Sequence, residues 1–158
     1  MYYSIFASPI GDMLLTSDGS ALTGLDFVDS VGEPSGQRDD GAFADATAQL
    51  RAYFGGDLTE FELDLAPRGT PFQQRVWSAL RAIPYGTTTT YGTLASGLGD
   101  ARATRAVGAA NGQNPISIII PCHRVIGADG SLTGYGGGMQ RKQWLLALEG
   151  RALPFVSA

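Results

Sequence analysis

The sequence predicts a small α+β chain in two parts, a sheet with a helix followed by a mainly helical half. Three observations carry this. Short apolar runs separated by turn residues fill the chain up to residue 66, and helix-period stripes with start and stop signals follow residue 70. The charge changes at the same place: residues 1–69 hold twelve acids and three bases, net −9, whereas residues 70–158 hold three acids and eight bases, net +5. With 158 residues the chain has length for one solid core or two units of roughly 70 to 90 residues.

In the first half, residues 2–6, 13–16 and 22–27 read as hairpin strands, with Asp18-Gly19 as a tight-turn signal. Residues 29–41 are rich in Gly, Asp, Ser and Pro and predict a surface loop. A short helix over 43–54 has Leu50 and Phe54 four apart and stops at Gly55-Gly56, before an alternating strand at 61–65. Pro67-Arg68-Gly69 forms the boundary, giving an N-terminal domain of residues 1–69 and a C-terminal domain of residues 70–158.

Thr70-Pro71-Phe72-Gln73 is a capping-box pattern with proline at the first helical position. Phe72, Val76, Trp77, Leu80 and Ile83 then form one helical stripe, ended by Pro84-Tyr85-Gly86. After the β-branched run 87–90, helices are predicted over 91–98 and from about 101 to 111, joined by a glycine-containing turn. Two short helices so joined fit a helix-turn-helix, and also two packed helices with no DNA role. The second helix carries Arg102 and Arg105 on one face, with Ala101, Ala103, Ala106, Gly108, Ala109 and Ala110 leaving its backbone nearly bare. Such a helix can approach a groove or a neighbouring helix closely.

The one cysteine and the one histidine are neighbours, Cys122 and His123. This sets the strongest side-chain nucleophile beside the base that titrates near neutral pH. The apolar run 116–120 predicts a buried strand, and Pro121, lacking an N–H, ends it and presents Cys122 at its edge, where a cleft would form. Successive strand side chains point to opposite faces, so His123 serves Cys122 only if the backbone turns or a water bridges them. The carboxylates of this half are Asp100, Asp129 and Glu149. Glu149 follows an amphipathic stretch, 139–148, at a helix C-terminus where the macrodipole opposes it. That position hints at a purpose beyond helix stability, though an ordinary exposed glutamate fits as well. The glycines of Gly134-Tyr135-Gly136-Gly137-Gly138 suit a backbone that comes close to a ligand, or a linker.

One cysteine excludes an internal disulfide, and one cysteine plus one histidine is too few for a four-ligand zinc site, so a metal-free chain is expected. No apolar run approaches the ~20 residues of a membrane span, and the start carries no basic stretch before a long apolar one. A cytoplasmic protein with no membrane partner is the expectation.

Asn114-Pro115, Pro121-Cys122-His123-Arg124-Val125, Gly134-Tyr135-Gly136-Gly137 and Leu145-Leu146-Ala147-Leu148-Glu149-Gly150 occur in that order. With them the chain resembles the O6-alkylguanine-DNA alkyltransferases, the methylated-DNA--protein-cysteine methyltransferases. The likeness is dense over residues 70–150 and rests on Ser8-Pro9-Ile10-Gly11 and general layout before that. It implies an N-terminal ribonuclease-H-like small sheet with helix, and a C-terminal helical domain with a helix-turn-helix (winged-helix-like) and a short buried strand carrying the cysteine. It further implies irreversible transfer of the alkyl group from O6-alkylguanine in double-stranded DNA, and from O4-alkylthymine, to Cys122, once per molecule, with the base flipped out. No cofactor is implied, and the acting species is a monomer, cooperative on DNA or not.

By the same likeness Asn114, His123 and Glu149 would polarise the thiol, with a water between His123 and Cys122, and Tyr91 would protonate the departing base. Arg105 would fill the gap in the base stack, with Arg102, Ala103, Thr104, Ala106 and Gly108 on the DNA face. Tyr135, Gly136 and Val125 would line the base pocket, the Cys122 and Val125 carbonyls accepting from the exocyclic amine. A cysteine hydrolase and a non-enzymatic DNA-binding module share parts of the pattern. A hydrolase would turn over, and a binding module would not need Cys122.

Overall fold

The structure is a computed structural model that describes residues 1–132 and 135–151. Strands β1 (Tyr2–Ser8), β2 (Gly11–Ser17) and β3 (Leu22–Phe27) form an antiparallel meander. Its register sets Phe6 opposite Met13, Met13 opposite Phe27 and Leu15 opposite Leu25, so these five side chains are buried together on one face of the pleat. At the predicted tight turn, Asp18 Oδ1 accepts from Ser20 N and Ala21 N, and Gly19 takes a φ of 103°.

The stretch predicted as a loop is not wholly irregular. It holds one helical turn, α1 (Val28–Val31), and β4 (Gln37–Arg38), which pairs in parallel with β1. Gln37 N donates to Met1 O at 3.1 Å and Asp39 N to Tyr3 O at 3.0 Å. The open edge of β1 takes its partners from backbone groups, which any extended segment supplies whatever its side chains. A 3-10 turn (Asp40–Phe43) leads into α2 (Ala44–Phe54), capped by Gly55. The strand predicted at 61–65 is extended but has a single bridge, Leu22 to Leu65.

Helix α3 (Pro71–Arg81) begins with the complete capping box: Gln73 N donates to Thr70 Oγ1 at 3.1 Å and Thr70 N to Gln73 Oε1 at 2.8 Å. Val76, Trp77 and Leu80 on its inner stripe are buried. Strand β5 (Thr89–Thr90), α4 (Tyr91–Gly97), a 3-10 turn (Ala101–Ala103) and α5 (Thr104–Gly112) make the helix-turn-helix. The indole N–H of Trp77 donates to Ala110 O at 2.9 Å and ties α5 to α3.

The run 116–120 corrects the expected buried strand. It is a buried turn in which Ile120 N donates to Ile116 O at 3.1 Å, and only Ile116 pairs with a strand residue, Leu25. Ile118 has a φ of 72°, which a β-branched residue rarely adopts and which stops a ladder from continuing. The cysteine follows in a 3-10 turn (Cys122–Arg124), and the strand lies beyond it: β6 (Val125–Ile126) pairs in parallel with β5, Thr89 opposite Val125. The last helix, α6 (Met139–Arg151), runs past the expected end through Gly150. A single helical glycine costs about 1 kcal/mol, and the buried bonds of Glu149, in the same turn, hold that end in place. One continuous core joins the sheet, α2, α3, α5, the 116–120 turn and α6. No helix among the described residues is long and apolar enough to cross a membrane.

Candidate active site

The turn at 116–120 aims Pro121 so that the next three residues coil into the core rather than lie on a strand edge. Cys122 is 5% exposed, which corrects the expectation of a thiol at an open edge, and His123 and Arg124 are buried beside it. Asn114 fixes this turn from both sides: its Oδ1 accepts from Ile116 N at 3.0 Å and its Nδ2 donates to Ile120 O at 2.8 Å. Asn111, at the end of α5, donates from Nδ2 to the Cys122 carbonyl at 3.4 Å. The helix-turn-helix is thereby bonded to the turn that carries Cys122.

Glu149 is the centre of the charge network. Arg124 donates to it twice, Nε to Oε1 at 2.9 Å and Nη2 to Oε2 at 3.0 Å, and spends Nη1 on the Ile83 carbonyl at 2.7 Å. His123 Nε2 lies 2.7 Å from Oε2, and Tyr53 donates its hydroxyl to the same oxygen at 2.6 Å. Burial opposes the negative charge, but the His123 and Arg124 hydrogen bonds and charges outweigh it and hold the carboxyl at about 2. An ionised carboxylate only accepts, so Nε2 carries the imidazole proton and Nδ1 keeps the lone pair. Nδ1 is buried and has no partner among the described residues. Burial pushes the His123 pKa down more than Glu149 pulls it up, so the ring is a neutral base at physiological pH.

Burial pushes the Cys122 thiol up to about 11, with Asn114 and the charge of Lys142 favouring the thiolate and Asp26 opposing it. The resting sulfur is a thiol, and nucleophilicity requires a base that takes its proton. Sequence reasoning missed Lys142, which is wholly buried and donates to the Val125 carbonyl at 2.5 Å. A lysine inside an apolar stripe was the available signal. It also missed Tyr53, 96 residues from Glu149, for which no local pattern exists.

The remaining expected residues fall into two groups. Tyr135 is buried next to the cysteine, and Gly136 is exposed, with space for a Cβ 3.7 Å from the Gly112 carbonyl. Gly137 has no such space: a Cβ would lie 2.7 Å from both the Phe27 and Tyr135 rings. Val125 is buried, its carbonyl facing Lys142. Gly134 lies outside the described residues. Arg102, Arg105 and Ala106 stand exposed on the outer face, Ala103, Thr104 and Gly108 are half-buried, and the Arg102 side chain is 98% exposed. Tyr91 opens α4 directly after the β5–β6 pairing, near Gly108, whose Cβ would sit 3.8 Å from its ring. Thus Asn114, Cys122, His123, Val125 and Glu149 come together in the interior, and the arginine face lies outside at the other surface of α5.

Two family models cover the chain: the 6-O-methylguanine DNA methyltransferase ribonuclease-like domain over residues 1–67 and the DNA binding domain of the same family over residues 71–151. A methylated-DNA--protein-cysteine methyltransferase of Mycobacterium tuberculosis (strain ATCC 25618 / H37Rv) is 55% identical over 98% of this chain and 95% of its own length. One of Methanosarcina acetivorans is 51% identical over 95% and 99%. The crystal structure of Mycobacterium tuberculosis OGT in complex with DNA matches with a TM-score of 0.92 at 54% identity, over 96% of this chain and 94% of that one.

Proposed function

The chain belongs to the methylated-DNA--protein-cysteine methyltransferase family, and we propose that Cys122 is its alkyl acceptor. It is a DNA-repair methyltransferase that acts on DNA by direct reversal. The observation that carries the assignment of Cys122 is the arrangement around it: a buried thiol, then a neutral histidine held by Glu149 through Nε2 with its Nδ1 lone pair free.

In this reading the substrate is O6-alkylguanine in duplex DNA, with O4-alkylthymine as a second lesion, and a monomer acts on it. Arg105 enters the base stack from the bare face of α5 while the damaged base swings out, a step that costs least for a mispaired base. Tyr135 and Gly136 line the pocket, and the exocyclic amine donates to the Cys122 and Val125 carbonyls, joining Asn111 Nδ2 and the Val125 N–H on the first and Lys142 Nζ on the second. His123 Nδ1 takes the thiol proton through a bridging water. The sulfur then attacks the alkyl carbon; the S–C bond forms as the C–O6 bond breaks. The electron pair leaves with guanine, which Tyr91 protonates. Nothing removes the thioether, so each molecule acts once.

The test is mass spectrometry of the protein after incubation with duplex DNA bearing O6-methylguanine. One added methyl group on the Cys122 peptide, at one per molecule, is the expected result, and Cys122→Ala should bind the duplex without methyl transfer. An unmodified Cys122, or repair beyond one lesion per molecule, would overturn the assignment.

A further inference from the structure

We propose that Tyr53, a residue of the N-terminal half, is a positioning residue that sets the basicity of His123 through Glu149. The inference rests on the reading of Cys122 and His123 given above. Tyr53 is wholly buried at the end of α2, where its ring meets Phe54, Phe61 and Tyr85 edge-on or tilted. Its hydroxyl donates to Glu149 Oε2 at 2.6 Å, a length typical of an O–H donor on a charged carboxylate. The same oxygen accepts from His123 Nε2 and Arg124 Nη2. One acceptor atom therefore divides its electron density among three donors from two segments of the chain.

The charged and titratable groups that face Glu149 are His123 and Arg124 from the reactive turn, Tyr53 from α2 and Tyr85 from the turn after α3, with Lys142 acting on His123 from α6. Burial and the Glu149 charge push the Tyr53 hydroxyl well above its ordinary range, so it remains a donor throughout. The sign follows. A proton held on Oε2 by Tyr53 weakens the carboxylate's stabilisation of an imidazolium, so the tyrosine keeps His123 less basic and neutral to lower pH. Removing the hydroxyl raises the His123 pKa, and the neutral base is then lost at a higher pH as the solution is acidified.

The chain has one histidine, so its ring NMR signals need no sorting from others. In Tyr53→Phe the histidine midpoint should rise by about one unit relative to wild type, and the acid limb of Cys122 alkylation by free O6-benzylguanine should move up with it. Site-specific 3-fluorotyrosine at position 53, a stronger donor of nearly unchanged shape, should move both downward. Lost packing alone would leave both midpoints unmoved. Coincident midpoints in wild type, Tyr53→Phe and the fluorotyrosine protein would overturn the proposal, as would shifts of the same sign in both variants. Should Tyr53→Phe not fold, the fluorotyrosine protein alone decides by whether its midpoint falls. If wild-type Cys122 takes no benzyl group, the functional reading fails, while the histidine titration still reports on Tyr53.

Discussion

Glu149 shows how far one side chain can be read before its partners are known. Its place at a helix end, against the dipole, marks it in the sequence as purposeful. The purpose lies in two segments far from it along the chain, and no spacing rule reaches Tyr53 or Arg124 from it. Removing the charge strands a buried guanidinium, so Glu149→Gln should lower stability by about 3–5 kcal/mol in urea denaturation and abolish alkyl transfer. The pH dependence has a definite sign. The carboxyl is held near 2 in the folded chain against an ordinary 4.5, so its contribution is complete above about 4.5 and is lost as the pH falls toward 2. His123, whose pKa burial lowers, acts in the same direction, because the unfolded chain binds its proton more readily. Acid unfolding of wild type should therefore steepen below the ordinary carboxylate range, and Glu149→Gln should lack that part of the slope.

Among the elements, helices whose signals are local were legible. Thr70 and Gln73 announce the start of α3 three residues apart, and the full box is present. Thr70→Ala should cost about 1 kcal/mol in thermal or urea unfolding, with alkyl transfer unchanged. The 116–120 run was not legible, because an apolar β-branched stretch reads alike as strand or buried turn, and the left-handed φ at Ile118 has no mark in the residue type. Helix α5, with the turn before it, stands out in the sequence as a bare face with two arginines, and the roles proposed for them separate by experiment. Arg105→Ala should slow reaction with duplex DNA on the order of tenfold or more while sparing free O6-benzylguanine, since only the duplex must be unstacked. Equal losses on both substrates would remove Arg105 from that role. Arg102→Ala should weaken binding without regard to sequence and reduce the salt slope by about one.

Taken whole, the molecule joins its acidic and basic halves through contacts that composition alone does not reveal. Arg141 is the clearest: it forms a two-pronged pair with Asp29 at 3.0 and 2.9 Å, donates to the Ile10 and Gly137 carbonyls, and lies 3.9 Å over the Phe27 ring. The glycine loop beside the thiol is thus braced by the sheet. Arg141→Ala should cost about 1–3 kcal/mol and speed amide exchange at residues 135–138 well beyond the rest of the chain. The charge division, readable from the sequence, explains which side meets a polyanion; the brace across it was hidden because its two ends are 112 residues apart. The depth of Cys122 has one more consequence. With the thiol at about 11, only on the order of one sulfur in ten thousand is ionised at neutral pH. A reagent that works once gains shelf life from such idleness: peroxide and stray electrophiles find little to attack before a lesion arrives. Iodoacetamide should label the native chain far more slowly than the urea-unfolded one, and rapid labelling of the native form would deny the sulfur that shelter.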